Sequence, residues 1–269
     1  MIKYDLTGSL VLYENSFESV KKAVDSFLTT TLKAKLQIID NSPENTFSDY
    51  PWDNRCDFIY NDHNPGFGRA HNQSIRTVLE TSKYHLVLNP DVSFDAGTLE
   101  KLYDFMEKNP TIGLVIPEVL NTKGQRQPAC KRLPAPLDLI LRRFGFGIMA
   151  NWFTDRLNYY EMNDKNYSEC FEAPYLSGCF MFFRVEALKK TGLFDERFFL
   201  YMEDVDISRR MCTHYRNVYY PHAHICHEHA RESYKTNKYL FAHITSAIKY
   251  FNKWGWLFDR ERKRINTGL

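Results

Sequence analysis

Short apolar runs alternate with segments of helical apolar spacing through the first half of the chain, and this alternation constrains the fold most strongly. Helical spacing covers residues 17–28, 69–80 and 96–108. The runs that predict buried strands lie around these helices, at residues 10–13, 36–39, 58–60, 85–88 and 113–116. Because strands that alternate with helices usually pair in parallel, the sequence predicts an α/β fold with a Rossmann-like, mainly parallel central sheet flanked by helices.

The size and the net charge of the chain limit the classes of protein to which it can belong. At 269 residues it can form one large α/β domain or two small ones with a substantial core. Its 35 basic and 33 acidic residues give a net charge of +2, which excludes a strongly polycationic nucleic-acid binder. We therefore expect no nucleic-acid partner.

Cysteine usage and hydropathy predict the compartment. The six cysteines lack C-x-x-C spacing and lie far apart, which is typical of reduced thiols in the cytoplasm. Residues 1–7 contain no apolar signal segment, and the sequence has no run of 18 apolar residues. We expect a cytoplasmic protein with neither a secretion signal nor a membrane span.

The composition divides the chain into three parts. Residues 1–120 hold the alternating strands and helices, whereas residues 121–171 are rich in basic residues and proline and predict an excursion from the sheet. The second part, residues 121–233, is completed by a strand and two helices at 179–183, from 185 onward and at 204–213. Residues 234–269 are aromatic and basic and predict a C-terminal amphipathic helical extension.

Two aspartates follow predicted strands. Asp40 comes after the run at 36–39, and Asp91 follows the run at 85–88. Parallel strands bring their carboxyl ends to one edge of the sheet, where open α/β sheets bind ligands. The Asp40 carboxylate can accept the N–H of a uracil or thymine ring, and Asp91 can bind a hard divalent cation. The alternative is that both are turn or cap residues.

The loop Asn64-Pro65-Gly66-Phe67-Gly68 precedes a predicted helix. Backbone amides there, together with the helix N-terminus, can approach an anionic ligand because glycine permits close contact. The loop has neither P-loop nor G-x-G-x-x-G spacing, so taken alone it is a weak motif.

Two further clusters carry titratable groups. Glu203 and Asp204 open a predicted helix, whose dipole favours ionised carboxylates; alternatively, one of them is simply a first-turn acid. The histidines in the H-x-H-x-x-H-x-H run at 222–229 alternate as in a strand, which disfavours a structural zinc site. We expect one of them to point into the site, as a metal ligand or a donor to phosphate.

In kind and in order, these motifs resemble those of family 2 glycosyltransferases of the GT-A fold, specifically the bacterial rhamnosyltransferase-like branch. The resemblance spans residues 6 to about 233 and rests on Tyr13-Glu14-Asn15, Asp40-Asn41-Ser42, 64–68 with Asn72, 89–92, Ser177-Gly178, 192–196 and 199–206. It implies a GT-A domain over residues 1–233, with the nucleotide-binding half at 1–120 and the acceptor and catalytic half at 121–233.

The resemblance also implies roles for single residues. Asp204 falls at the position of the family's general base, and Asp40 at the position of the aspartate that binds the pyrimidine base. Asp91 and His227 fall at the positions that bind Mg²⁺ or Mn²⁺ in the family. Asn89 replaces the first acid of the family's Asp-x-Asp motif. The donor-binding set implied in addition to Asp40, Asn89 and Asp91 comprises Tyr13, Asn64, Gly66, Gly68, Ser177, Gly178 and Glu203.

The implied reaction is a single displacement with inversion at the anomeric carbon. The resemblance implies a dTDP-linked 6-deoxyhexose donor such as dTDP-L-rhamnose, with a UDP-sugar as the alternative. It also implies a saccharide acceptor linked to polyprenyl diphosphate, in surface polysaccharide synthesis. Residues 239–264 mix aromatic and basic side chains, which favours peripheral contact with the inner face of the cell membrane over packing on the domain.

Two other function classes fit parts of the pattern. A nucleotide-sugar-binding module without turnover would share the fold, but an intact Asp204 argues against it. A nucleotidyltransferase would normally carry a Gly-rich, basic loop after the first strand, whereas this chain has Tyr13-Glu14-Asn15-Ser16.

Overall fold

The alternation of strands and helices is present in the computed structural model, which describes residues 1–144, 148–228 and 237–268. The first part contains β1 (Tyr4–Leu12), α1 (Phe17–Leu28), β2 (Ala34–Asp40), β3 (Cys56–Tyr60), α2 (Phe67–Val78), β4 (Ser82–Leu88), β5 (Val92–Ser93), α3 (Thr98–Lys108) and β6 (Ile112–Leu120). The second part contains β7 (Cys130–Lys131), α4 (Pro136–Phe144), α5 (Ile148–Tyr160), β8 (Phe171–Glu172), β9 (Tyr175–Leu176), β10 (Phe180–Arg184), α6 (Val185–Thr191), α7 (Glu203–Met211) and β11 (Arg216–His227). The C-terminal part contains α8 (Asn237–Trp254) and α9 (Arg260–Thr267).

The main sheet has the strand order β3-β2-β1-β4-β10-β6-β11-β5, and β8 pairs with β11. The pairs β1–β2, β1–β4, β2–β3 and β6–β11 are parallel. β10 runs antiparallel between β4 and β6, and β5 runs antiparallel to β11. The expected α/β fold is thus confirmed, but the sheet is mixed: β10 runs antiparallel in its middle, and β5 and β8 run antiparallel to β11.

The central strands are buried on both faces, as expected for a sheet covered by helices. Leu6 and Leu10 on one face of β1 and Ser9 on the other have no exposed surface, and neither does Phe27 of α1. A Cβ atom at Gly8 would lie 2.8 Å from the Phe27 ring, so glycine lets α1 pack directly on the sheet. This packing fixes the strand ends that carry the site.

The predicted excursion after β6 contains a second, two-stranded sheet. β7 pairs antiparallel with β9, which places Lys131 opposite Tyr175. Helices α4 and α5 lie between these two strands in the sequence. The small sheet brings residues from the basic, proline-rich segment next to the start of α7.

The C-terminal helices pack on α7. Tyr250 and Phe251 of α8 are buried in an apolar cluster with Val205 of α7. Arg209 of α7 makes a buried ion pair with Asp259, with Nη1 and Oδ2 2.6 Å apart. None of the helices within the described ranges is both long and apolar enough to cross a membrane. His229 and the predicted boundary at 233/234 lie outside the described residues.

Candidate active site

The carboxyl ends of β2 and β4 lie on either side of β1. Leu12 of β1 pairs with Asp40, and Leu10 pairs with Leu88, one residue before Asn89. The loop after β1 joins the same edge, since the Glu14 amide donates to Ser42 Oγ at 2.9 Å. Tyr13 is thereby held beside the Asp40 loop, with its own amide bonded to Asn15 Oδ1.

Asp40 has both a structural contact and an available oxygen. Its Oδ1 accepts the Ser42 amide at 2.9 Å, which is the turn contact proposed as the alternative for this residue. Its Oδ2 is buried and has no hydrogen-bond partner among the described residues. Because a buried acceptor without a partner is costly, Oδ2 is suited to accept a ligand N–H.

Asp91 and His227 are brought together by strand pairing. His227 lies opposite Val92 in the β11–β5 pair, and its Nε2 is 3.3 Å from Asp91 Oδ2. The histidine spacing explains this arrangement, because His222 and His224 are exposed whereas His227 is buried. Of the three histidines in this run that the structure describes, His227 thus meets the predicted acidic residue.

Gln127 holds His227 at two atoms. Its Nε2 donates to the His227 backbone oxygen at 2.7 Å, and its Oε1 lies 3.2 Å from His227 Nδ1. An amide oxygen can only accept, so at this contact Nδ1 is the donor, which leaves Nε2 as the ring nitrogen that faces Asp91. Gln127 therefore orients the ring as partners of metal-bound histidines do.

The Asp91–His227 pair fits a divalent cation. Two atoms about 2.1 Å from an octahedral ion lie about 3 Å apart at adjacent corners, close to the observed 3.3 Å. No group of three or more His, Cys, Asp or Glu side chains able to hold a metal occurs in the described part of the chain. With two protein ligands, most coordination positions would be open for phosphate oxygens and water.

Asp204 lies at the start of α7 with both carboxylate oxygens engaged. Oδ2 accepts the Tyr175 hydroxyl and the Gly178 amide, each at 3.0 Å, and Oδ1 accepts the Val205 amide at 2.9 Å. A Cβ at Gly178 would lie 3.2 Å from the Asp204 Cβ, so glycine permits this close approach. Oδ1, with one bond, retains capacity to accept a proton.

Burial dominates the electrostatics of the acidic pair. It raises the pKa of Asp204, while the hydrogen bonds from Gly178 and Tyr175 and the charge of Lys131 act in the opposite direction. Burial, followed by repulsion from Asp204, raises the pKa of Glu203 to about 8. Glu203 Oε2 is buried and has no partner within the described residues. A raised pKa makes Asp204 a stronger base than an exposed aspartate.

Lys131 is a buried cation beside this carboxylate. Its residue is 3% exposed, and its Nζ lies 4.9 Å from the centre of the Tyr175 ring. Burial lowers the pKa of Lys131 to about 8, with the Arg142 charge acting in the same direction. The side chain donates to the Pro128 carbonyl at 2.7 Å.

One short segment connects the two acidic groups. The Gly178 amide donates to Asp204, and the carbonyl of the next residue, Cys179, accepts the Asn89 amide at 3.0 Å. Ser177 is anchored to the excursion through its amide, which donates to the Ala129 carbonyl at 2.9 Å. Ser177 and Gly178 thus lie between the Asn89–Asp91 turn and the catalytic candidate.

The glycine loop before α2 packs against the loop that leads into α7. The Phe67 amide donates to the Phe199 carbonyl, and the Gly66 amide donates to Asn64 Oδ1, each at 2.9 Å. A Cβ at Gly66 would lie 2.4 Å from the Phe199 oxygen. Gly68 packs on Phe194 in the same way. The Gly66 and Phe67 amides are therefore already bonded within the protein. Binding of an anionic ligand by the other amides at the start of α2 stays a prediction.

Sequence reasoning did not single out Tyr175, Lys131 or Gln127 as parts of the site. In the sequence Lys131 is one of several basic residues of the excursion, and its burial depends on the β7–β9 pair. Tyr175 stands two residues before Ser177-Gly178, and this proximity is the one local signal that could have suggested it. Gln127 carries no sequence signal, because its contact joins residues 100 positions apart.

The chain is similar to known glycosyltransferases in sequence and in fold. The model of glycosyl transferase family 2 matches residues 13–192. The N-acetylglucosaminyl-diphospho-decaprenol L-rhamnosyltransferase of Mycobacterium tuberculosis is 29% identical over 182 residues, which cover 63% of this chain. Those residues span 58% of the length of that relative.

Two solved glycosyltransferases share the fold. A structure of GalNAc-T7 with UDP, GalNAc and Mn²⁺ has a TM-score of 0.61 at 14% identity, covering 84% of this chain and 43% of that one. The Pyrobaculum calidifontis mannosyltransferase PcManGT, in complex with GDP-Man and Mn²⁺, has a TM-score of 0.60 at 16% identity, covering 92% and 65%. The expected GT-A type of fold is therefore confirmed.

Proposed function

The chain belongs to glycosyl transferase family 2, and from this premise we propose that it is an inverting glycosyltransferase with Asp204 as its general base. The observation that carries the proposal is the segment Ser177-Gly178-Cys179. It ties the buried, hydrogen-bonded Asp204 on one side to the Asn89–Asp91 turn on the other. A base and a diphosphate site on either side of one short segment suit direct transfer from donor to acceptor.

In this mechanism Asp204 removes the proton of an acceptor hydroxyl as that oxygen attacks the anomeric carbon. The bond from that carbon to the diphosphate oxygen breaks, so one displacement inverts the configuration. The Tyr175 and Gly178 donors hold Oδ2, so Oδ1 receives the proton. General-base assistance of this kind contributes about 10²–10⁴-fold to the rate.

Asp91 and His227 would hold the divalent cation, Mg²⁺ or Mn²⁺. When bound, such an ion neutralises the charge of the leaving diphosphate, so that no second carboxylic acid has to protonate it. The support for this assignment is the 3.3 Å separation of the two ligand atoms and the orientation that Gln127 gives the imidazole. The two solved relatives contain Mn²⁺.

The donor is proposed to be a pyrimidine nucleotide sugar. Asp40 Oδ2, buried and without a partner in the described residues, suits the ring N–H of thymine or uracil. We favour a dTDP-6-deoxyhexose such as dTDP-L-rhamnose, because the mycobacterial relative is named a rhamnosyltransferase. A UDP-sugar is the second candidate, since the base contact is common to both. The remaining proposed donor contacts are Tyr13, Asn64, Gly66, Gly68, Asn89, Ser177, Gly178 and Glu203.

The acceptor is proposed to be a saccharide carried on polyprenyl diphosphate. This assignment follows the name of the mycobacterial relative, whose acceptor is a diphospho-decaprenol-linked sugar. Residues 1–233 would form the transferase domain, and residues 234–269 the helical extension.

A screen of nucleotide sugars tests the proposal. Thermal shift and donor hydrolysis would be measured for dTDP-, UDP- and GDP-linked sugars, with and without Mn²⁺. We expect stabilisation by pyrimidine donors that is strengthened by the ion, and loss of that pyrimidine preference in Asp40→Asn. A purine preference would contradict the Asp40 assignment. Binding of a pyrimidine donor without transfer to any saccharide acceptor would favour a nucleotide-sugar-binding module.

A further inference from the structure

The C-terminal helices expose a row of apolar side chains. Phe241, Ile244 and Ile248 of α8 are 72%, 45% and 44% exposed. Their spacing of three and four residues places them in one stripe along the helix. Large apolar side chains exposed together in this way are characteristic of an interaction surface.

The stripe continues into the loop after α8. Asn252 is the next position along the same face, and its Oδ1 accepts the Trp256 indole N–H at 2.9 Å. The two residues that follow, Leu257 and Phe258, are 75% and 94% exposed. The helix and the loop thus form one surface, which we call the apolar ridge: Phe241, Ile244, Ile248, Trp256, Leu257 and Phe258.

Cations lie directly after the ridge in the sequence. Arg260, Lys263 and Arg264 are exposed on α9, at the spacing of one helical face. The neighbouring Glu261 is shared between two arginines, with Oε2 3.0 Å from the buried Arg209 and Oε1 4.0 Å from Arg264. Three exposed cations against this one shared carboxylate leave the exposed face of α9 positive, and it follows an apolar loop that ends in Leu257 and Phe258.

We infer that the apolar ridge and the basic face of α9 dock on an anionic lipid bilayer. Apolar and aromatic side chains enter the boundary between headgroups and acyl chains, while arginine and lysine attract anionic headgroups. The indole of Trp256 has an apolar body and a polar N–H, the combination enriched at membrane interfaces. Charge complementarity selects this occupant over a second copy of the chain, which would bring two basic faces together.

The opposite face of α8 is hydrogen-bonded to α7, the helix that carries Asp204. Asp206, two residues after Asp204, accepts Lys253 Nζ at 2.6 Å and the Trp254 indole at 2.8 Å. Ser246 of α8 also donates to the Leu200 carbonyl, in the loop before α7, at 2.8 Å. A docked α8 therefore holds the base at a fixed height above the bilayer. This consequence rests on the proposed function, because it matters for an acceptor embedded in that bilayer.

Vesicle flotation of the full chain tests the inference. The probes are phosphatidylglycerol–phosphatidylethanolamine vesicles and neutral phosphatidylcholine vesicles. We expect binding to the anionic vesicles that weakens at high salt, and a loss of at least about tenfold in the triple variant Phe241→Ser, Leu257→Ser, Phe258→Ser. The matched control is Ile2→Ser, which removes a 50% exposed apolar side chain before β1 and should leave binding unchanged.

Further measurements separate the possible failures. An unchanged thermal unfolding midpoint shows that the triple variant folds, and turnover of a water-soluble acceptor should equal that of the wild type. The docking inference would be overturned if the wild-type chain did not bind anionic vesicles, or if the triple variant bound them as well as the wild type does. A substitution that changes the oligomeric state rather than vesicle binding would assign the ridge to a second copy. Absence of turnover in the wild type with every acceptor would instead count against the proposed function, whatever the vesicles do.

Discussion

The Tyr175 hydroxyl donates a 3.0 Å hydrogen bond to Oδ2 of Asp204, and this contact links the small β7–β9 sheet to the proposed base. A donor to a carboxylate stabilises its charged form and so lowers its pKa. Burial acts in the opposite direction and is the larger effect. The Asp204 pKa thus reflects two opposing effects: burial raises it, whereas Gly178, Tyr175 and Lys131 lower it.

Tyr175→Phe removes one of the donors that oppose burial. The pKa of Asp204 should rise further, so the acid limb of the kcat/KM profile should move to higher pH. Below that limb the base is protonated and turnover is lost. Tyr167→Phe is the matched control, because the Tyr167 hydroxyl bonds to the Glu161 carbonyl. The same acid limb in Tyr175→Phe and wild type would contradict the proposed role of Tyr175.

Gln127→Ala should weaken the cation site without removing a ligand. Loss of the contact to His227 Nδ1 frees the ring to turn and to change tautomer, and such substitutions typically cost 10–100-fold in metal affinity. Mn²⁺ binding would be followed by electron paramagnetic resonance in the presence of a nucleoside diphosphate. Gln125→Ala, an exposed neighbour, serves as the control. Equal Mn²⁺ affinity in the two variants would rule out the orienting role.

The order of strands and helices in the first half was predictable, because apolar periodicity reports burial directly. The direction of β10 was not, since an apolar run such as 179–183 carries no sign of which neighbours it pairs with. Asp40, Asp91 and Asp204 could be singled out because they sit at element ends that local sequence defines. Tyr175, Lys131 and Gln127 could not, because long-range pairing alone makes their contacts.

The tail illustrates the same limit. From the sequence, its aromatic residues could either contact a membrane or pack on the domain. In the structure, some of them pack on the domain, whereas others are exposed. Tyr250 and Phe251 are buried against α7, whereas Phe241 and Phe258 are exposed. Helical spacing could have sorted residues 241–254, but the exposure of Phe258 depends on how α9 folds back.

Asp259→Ala should destabilise the chain through the α7–α9 contact. The Arg209 side chain is 1% exposed, and the substitution leaves its charge with Glu261 as its remaining ion-pair partner. Breaking a buried pair in this way costs about 3 kcal/mol in the free energy of unfolding. Urea denaturation measures the change, with the exposed Asp49→Ala as control. A loss no larger than that of the control would show that the pair is not a structural anchor.

Glu203→Gln should reveal the pH dependence of the buried acid. The pKa of Glu203 is about 8 in the folded chain against an ordinary value of 4.5. The folded state therefore holds a proton that the unfolded state releases, so this group's contribution is complete below pH 4.5 and is lost as pH rises toward 8. Relative to Glu203→Gln, the wild-type free energy of unfolding should fall as the pH rises through that window. A constant difference between the two proteins across the window would contradict the raised pKa.

The most direct test of the central claim is single-turnover transfer by Asp204→Asn, measured beside donor affinity. The variant keeps the shape of the side chain but cannot accept the acceptor proton. We predict a loss of about 10²–10⁴-fold in turnover with donor binding within a few-fold of the wild type. Turnover at the wild-type rate in Asp204→Asn would show that Asp204 is not the base and would overturn the mechanism.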